Sequence, residues 1–329
     1  MKINKKILTI GSATLDLFIH YDKPEVIDLK KNNLVKTYLL LEQGCKLDIQ
    51  DINYYTGGGA TNTGIAFKRL GFEATSFFKI AKDSQGKFVL NELKKERLKT
   101  KVVYSDTTQT AMSFILPTPS GDRIILAFRG ANRDIIEKDI PINLIKKSDQ
   151  LYITPLSGFS SKLLEPIINI AKQNNIPVTV NPGISQLKPE KIHEFIKALK
   201  HIDTLILNTS EAKELMLSIE PQKVFTFENY LKLILKLGPL VAVVTDGSRG
   251  VYVANKDKIH FQKSIPSKAV STLGAGDAFG ACFVASLLNG KTIEEAALYG
   301  TINASNVIQF EGAKTGLLTW EEIEKKAKN

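Results

Sequence analysis

The chain has 329 residues, 43% hydrophobic and 24% charged, a balance that suits one large globular α/β domain with a smaller appendage. Lysine and arginine exceed aspartate and glutamate, giving a net charge of +10. The lysines fall in scattered pairs such as Lys30-Lys31 and Lys94-Lys95 without interleaved aromatics, so nucleic-acid binding is not expected, whereas an anionic nucleotide suits the positive field. Cys45 and Cys282 form no Cys-x-x-Cys pair, which argues against a disulfide framework or a zinc site.

From the N-terminus, Ile7 to Ile10 reads as a buried strand. It is too short for a secretory apolar region, and no run of about eighteen apolar residues occurs anywhere, so the expected location is cytoplasmic, with no membrane partner. Residues 17–55 and 102–128 break the later rhythm, and in the second of these two apolar runs flank Pro117-Thr118-Pro119-Ser120-Gly121-Asp122, a hairpin signal. Together they are expected to form a small β lid over one end of the core.

Further along, Gln150–Ile153, Val178–Val180, Thr204–Leu207 and Leu240–Thr245 read as strands. Between them, 163–173, 189–199, 210–216 and 227–236 show the three- and four-residue apolar spacing of helices. Strand and helix in alternation predict a doubly wound, mostly parallel sheet flanked by helices. No repeat, low-complexity tract or long linker interrupts it, so residues 1–329 are expected to form a single α/β domain carrying the lid.

The strongest chemical signal is Ser271-Thr272-Leu273-Gly274-Ala275-Gly276-Asp277, which runs directly into the apolar stretch Ala278 to Leu288. A small-residue turn opening a buried helix leaves backbone N–H groups free to approach an anion, at the positive end of the helix dipole. Asp277 stands beside that place, where a carboxylate can either cap the helix or take a proton from an attacking hydroxyl. No Gly-x-x-x-x-Gly-Lys-Ser/Thr loop is present, which disfavours a Walker-type NTPase.

These residues resemble the Asp-Thr-x-Gly-Ala-Gly-Asp signature of the ribokinase-like (PfkB) carbohydrate kinases. A second element, Gly57-Gly58-Gly59-Ala60-Thr61-Asn62, resembles that family's Gly-Gly-x-x-x-Asn turn, and shorter matches follow in the family's order: Gly11 to Asp16, Gly130-Ala131-Asn132, Asn208 to Glu211, Thr245 to Gly250 and Gly312-Ala313.

The resemblance implies an ATP-dependent sugar kinase with a ribose- or fructose-like acceptor. It implies Asp277 as general base, an anion hole at Gly274, Ala275 and Gly276, and substrate hydroxyls held by Asp16, Gly58, Gly59 and Asn62. On the nucleotide side it implies Asn208, Glu211, Thr245, Gly247 and Gly250, with Thr301 and Asn303 where the family places adenine contacts. Mg²⁺ would be carried by the nucleotide phosphates through water, with no direct protein ligand.

Two departures qualify the match. Ser271 replaces the aspartate that in the family helps ligate an activating monovalent cation, and a neutral serine is a poorer ligand for a hard cation, so weakened potassium dependence is expected. The long first lid segment suits a larger lid or a lid-mediated homodimer. An adenosine-type nucleoside kinase shares every motif, and Phe114 and Phe128 could grip a base or simply pack the lid sheet. A non-catalytic sugar- or nucleotide-binding regulator would have no need of Asp277.

Overall fold

Strand β1 (Ile3–Ile10) begins polar and ends apolar, and Ile7 to Ile10 are all buried, as befits a central strand covered on both faces. The computed structural model describes residues 3–21, 25–31, 34–44, 46–118, 122–187 and 192–328. From β1 the chain runs out through β2 (Thr14–Tyr21), β3 (Glu25–Lys31), β4 (Leu34–Leu40) and β5 (Ile49–Gly57). Helix α1 (Gly59–Arg69) returns it to β6 (Phe72–Ala81).

Helix α2 (Ser84–Lys95), β7 (Lys99–Ser105) and the hairpin β8 (Met112–Pro117) and β9 (Arg123–Phe128) follow. Next come α3 (Ile142–Lys146), β10 (Gln150–Ile153), α4 (Leu164–Gln173), β11 (Val178–Val180), α5 (Ile192–Ala198) and β12 (Thr204–Asn208). Helices α6 (Thr209–Ile219) and α7 (Phe227–Lys236) precede β13 (Val241–Thr245), β14 (Gly250–Ala254) and β15 (Ile259–Lys263). Helices α8 (Ala275–Leu288), α9 (Ile293–Val307) and α10 (Trp320–Ala327) end the chain.

The large sheet has the order β15-β14-β13-β12-β11-β10-β1-β6-β7. It is parallel from β13 to β7, and β14 and β15 run antiparallel at one edge. Successive strand residues face opposite layers. Ile7, Ile206 and Val243 pack with α1, α8 and α9, whereas Leu8, Leu205 and Val244 pack with α4 to α7. Helix α8 is apolar on every side and buried without a break from Ala278 to Ser286, which lets it lie between neighbours on all sides. Cys282, inside that stretch, is a buried free thiol; Cys45 lies outside the described residues.

The expected strands and helices are present, with small shifts at their ends. A 3-10 turn, Gly158–Leu163, leads into α4, and α5 begins at Ile192, the expected start of that helix lying outside the described residues. The chain leaving β1 enters a second sheet in the order β5-β2-β8-β9, with β3 and β4 forming a separate two-stranded ribbon. The lid boundary drawn at residue 102 falls inside β7, whose Val102 and Val103 pair with Phe78 and Lys79 of the large sheet. Lid strands on that side begin at Met112, and residues 119–121 of the turn lie outside the description. Among the described residues, no helix is long and apolar enough to cross a membrane.

Candidate active site

The loop after β1 is pinned before it enters the lid. Asn132 accepts from the Ala13 N–H at 3.1 Å and donates to its carbonyl at 3.0 Å. β2, a strand of the lid sheet, carries Asp16, 4% exposed, with the Thr14 hydroxyl donating to it at 2.9 Å. Burial pushes the Asp16 carboxyl above its ordinary range, opposed by Thr14 and by the charge of Lys314. The turn from β5 into α1 passes so close that a Cβ on Gly57 would lie 1.8 Å from Asp16 Oδ2 and would displace that carboxylate. Gly58 caps α1, and the Gly59 N–H donates to the Ser12 hydroxyl at 3.1 Å.

One turn further on, Asn62 donates through Nδ2 to Asp277 Oδ2 at 2.8 Å, bringing the two glycine motifs together across 215 positions of sequence. Asp277 lies in the first turn of α8 and does not act as its cap. Gly274 is the N-cap of α8, in the left-handed conformation (φ 78°), with no side-chain cap bond. The N–H groups of Gly276 and Asp277 donate to no acceptor among the described residues, as first-turn amides do when no cap reaches them. Unpaired amides at the positive end of a helix suit an anion.

Asp277 keeps one side partly exposed, yet its carboxyl is deep enough for burial to raise its pKa to about 6 against the Asn62 bond and Lys314, while nearby Asp16 adds to the rise. Across the mouth of the loop, the lid residue Arg123 donates to the Thr272 hydroxyl. Its direction, illegible in the sequence, is therefore toward the anion loop.

Lys314 was not among the residues singled out by motif. It follows Gly312-Ala313, and Ala313 packs so tightly on the anion loop that a Cβ on Gly274 would lie 2.4 Å from the Ala313 Cβ. The Lys314 ammonium donates to the Thr56 carbonyl, to Asn62 Oδ1 at 2.9 Å and to the Thr61 hydroxyl at 3.3 Å. Burial draws its pKa down to about 8, with Asp16 and Asp277 pulling the other way. A lysine in a polar C-terminal loop gives no sequence signal of such a position; its only marker is adjacency to Gly312-Ala313.

The nucleotide-side residues gather at the C-terminal ends of β12 and β13, where Asn208 and Thr245 are register partners. Asn208 and Glu211 form a reciprocal capping box on α6, each bond 3.0 Å, and burial raises the Glu211 pKa. Gly247 is exposed, with open space where a Cβ would stand, and Gly250 starts β14 behind it. The turn is held by Asp246, which accepts from Thr209 at 2.7 Å and from the forked Arg249 guanidinium at 2.5 and 2.7 Å. Thr301 and Asn303 are placed differently. The Thr301 hydroxyl donates to the Ala297 carbonyl within α9, and the fully buried Asn303 amide ties the Ala278 carbonyl to the Leu318 N–H, both at 3.0 Å. The Asn303 side chain thus joins α8, α9 and the following loop.

Residues 22–320 match the family described as pfkB family carbohydrate kinase. A ribokinase of Haemophilus influenzae is 27% identical over 300 residues, covering 89% of this chain and 94% of its own. A nucleoside kinase of Methanocaldococcus jannaschii is 24% identical over 326 residues, covering 97% and 95%. The solved structure of Arabidopsis thaliana ribokinase complexed with ribose and ATP superposes with a TM-score of 0.78 at 20% identity, covering 99% of this chain and all of that one.

Proposed function

Because the chain belongs to the pfkB family of carbohydrate kinases, which makes it an ATP-dependent kinase, we propose that it transfers the γ-phosphoryl group of ATP to a hydroxyl of a small ribose- or fructose-like sugar. The observation that carries this reading is the placement of Asp277, a partly exposed carboxylate held by Asn62 beside the unpaired amides of the α8 first turn. In that geometry the acceptor hydroxyl forms the new O–P bond as its proton passes to Asp277, and the bond between the γ-phosphorus and the β-γ bridging oxygen breaks. The Gly274 and Gly276 amides then meet charge on the transferred oxygens, and the Ala275 N–H, which donates to the Thr272 carbonyl at 3.4 Å, would have to leave that carbonyl to join them.

Asp16, on the lid strand β2, is assigned to acceptor hydroxyls together with the Gly58-Gly59 turn and the remaining Asn62 hydrogen-bonding capacity. Asn208, Glu211, Thr245, Gly247 and Gly250 are assigned to the nucleotide. Mg²⁺ would be held there by the nucleotide phosphates, with Glu211 orienting its waters, and would neutralise phosphate charge. Thr301 and Asn303 receive a packing role. The lid excludes water, the competing acceptor, and its exposed apolar strands support a homodimer formed through it. A cytoplasmic location supplies the ATP.

The test is ADP release from MgATP against a panel of free sugars, sugar phosphates and nucleosides. Turnover on a free five- or six-carbon sugar is expected. Turnover on nucleosides alone would replace the sugar with a nucleoside, and silence across the panel despite measured ATP binding would overturn the proposal.

A further inference from the structure

Lys314 has a position that acceptor binding alone does not account for. Its amine, 8% exposed with the rest of the residue, faces three oxygens: the Thr56 carbonyl, Asn62 Oδ1 and the Thr61 hydroxyl. The Thr61 proton is itself donated to the Gly57 carbonyl at 2.7 Å, so toward Lys314 that hydroxyl accepts. An ammonium has three N–H donors and no lone pair, which matches three acceptors; a neutral amine would turn its lone pair onto one of them. The residue is therefore built into the site as a cation, and its donors are all spent on protein.

This has a consequence for Asn62. Its amide oxygen must face the ammonium, which leaves only the NH₂ end for Asp277, and the 2.8 Å bond to Oδ2 is the result. A flipped amide would set the Asn62 NH₂ against a donor and its oxygen against a carboxylate, two repulsive contacts at once. We propose that Lys314 is the positioning residue of the acceptor site, a buried counter-ion that locks the Asn62 amide in its donating orientation and holds Asp277 as a carboxylate in the presence of Asp16. The inference rests on the reading of Asp277 as general base.

The surrounding charges agree with this assignment. Asp277 is faced by Asp16 from β2, by Lys314 from the C-terminal loop and by the Tyr152 phenol from β10, where the Asp277 charge adds to the burial that raises that phenol. Two like charges, Asp16 and Asp277, share one buried cation, so its removal leaves both carboxyls uncompensated. Lys314 also feels Glu96 and Arg69. Arg69 forks Glu96 at 2.6 and 3.3 Å and donates to the carbonyls of Lys314 and Leu317 at 3.0 and 3.1 Å. The backbone beneath the amine is thus clamped from the end of α1.

The experiment is a carboxyl-carbon NMR titration of aspartate-labelled protein, with the Asp277 signal assigned by its loss in Asp277→Asn. In Lys314→Met, and in Lys314→Gln, which keeps donors but not charge, the Asp277 midpoint is expected to rise by about one unit or more. An unmoved midpoint in a folded variant overturns the proposal. In the unsubstituted protein, the Lys314 side-chain nitrogen must be an NH₃⁺ group at about pH 6.5; a neutral amine there overturns it whether or not either variant folds. The titration needs no acceptor sugar, so it is independent of the base assignment: an active Asp277→Asn enzyme would defeat that reading and leave the titration result standing on its own.

Discussion

Burial and chemistry pull Asp277 in opposite directions. Desolvation favours its neutral form, while a base must be ionised, and a pKa raised to about 6 leaves roughly nine in ten copies charged at neutral pH. Activity is therefore expected to rise with pH through about 6, because the protonated form cannot accept the hydroxyl proton, to level off, and to fall again above about 8, where Lys314 gives up the charge that holds Asn62 and Asp277. Asp277→Asn keeps the shape and an acceptor for Asn62, so nucleotide binding should persist while kcat falls by about 10²–10⁴. Near-normal turnover in that variant, measured alongside ATP binding by calorimetry, would refute the assignment.

Ser271 allows a second test at the same scale. It is buried, and its hydroxyl accepts from the Leu273 N–H at 3.3 Å, a neutral oxygen where the family resemblance leads one to expect a carboxylate. Replacing potassium by tetramethylammonium at constant ionic strength is expected to change the rate by less than about threefold, since a lone neutral hydroxyl holds a hard cation weakly. A large potassium requirement would show that other oxygens make the site.

Asp277 was legible because it stands in a short glycine motif whose chemistry can be read locally, and Asp16 and Asn62 only through the family resemblance of the segments that hold them. Lys314 was not: what it does depends on contacts with Asn62, 252 positions away, and a lysine's sequence neighbours say nothing of such burial.

At the scale of an element, the start of α8 is a turn whose shape is set by its neighbours. Gly274 has φ 78°, and a Cβ there would meet Ala313 at 2.4 Å on the side chain and 2.6 Å on the backbone. A left-handed conformation costs an L-residue roughly 1–2 kcal/mol, and the contact with a clamped loop adds to that. Gly274→Ala is expected to lower the melting temperature by several degrees and kcat by at least about tenfold, since small displacements of oriented donors are costly in rate. Thermal melting and ADP release measured together check this, and a variant with normal kcat would show that the amides near residue 274 do not need this placement.

The β-rich segments show where reading by element runs out. Alternation placed β10 to β13 correctly because each is a short apolar run between helices. β7 reads Lys-Thr-Lys-Val-Val-Tyr-Ser, the half-polar pattern of an edge strand, which is the same for an edge of the large sheet as for a lid. Which sheet claims it is decided by pairing with β6, a tertiary choice.

At the scale of the molecule, the lid ends in surfaces that a single chain leaves open. The edge strand β9 exposes Ile125, Leu126 and Phe128, and the β3–β4 ribbon exposes Val26, Ile27, Leu29, Tyr38 and Leu40, each by 39% or more. An apolar edge strand with unpaired N–H and C=O groups is a template for another strand, and the apolar side chains beside it add area to be buried. Against association stands the net charge of +10 on each copy, a repulsion that salt screens. The balance predicts a homodimer, twice the 36.4 kDa chain mass, that tightens as sodium chloride rises from about 0.05 to 0.5 M, because screening removes the repulsion and leaves apolar contact intact. Light scattering on a sizing column measures this directly. Leu126→Lys places a charge on the exposed face of β9 and should shift the protein to monomer at every salt concentration while the Asp277 titration stays where it was. A protein that runs as a monomer throughout, before any substitution, would show that the lid surfaces serve the acceptor site alone.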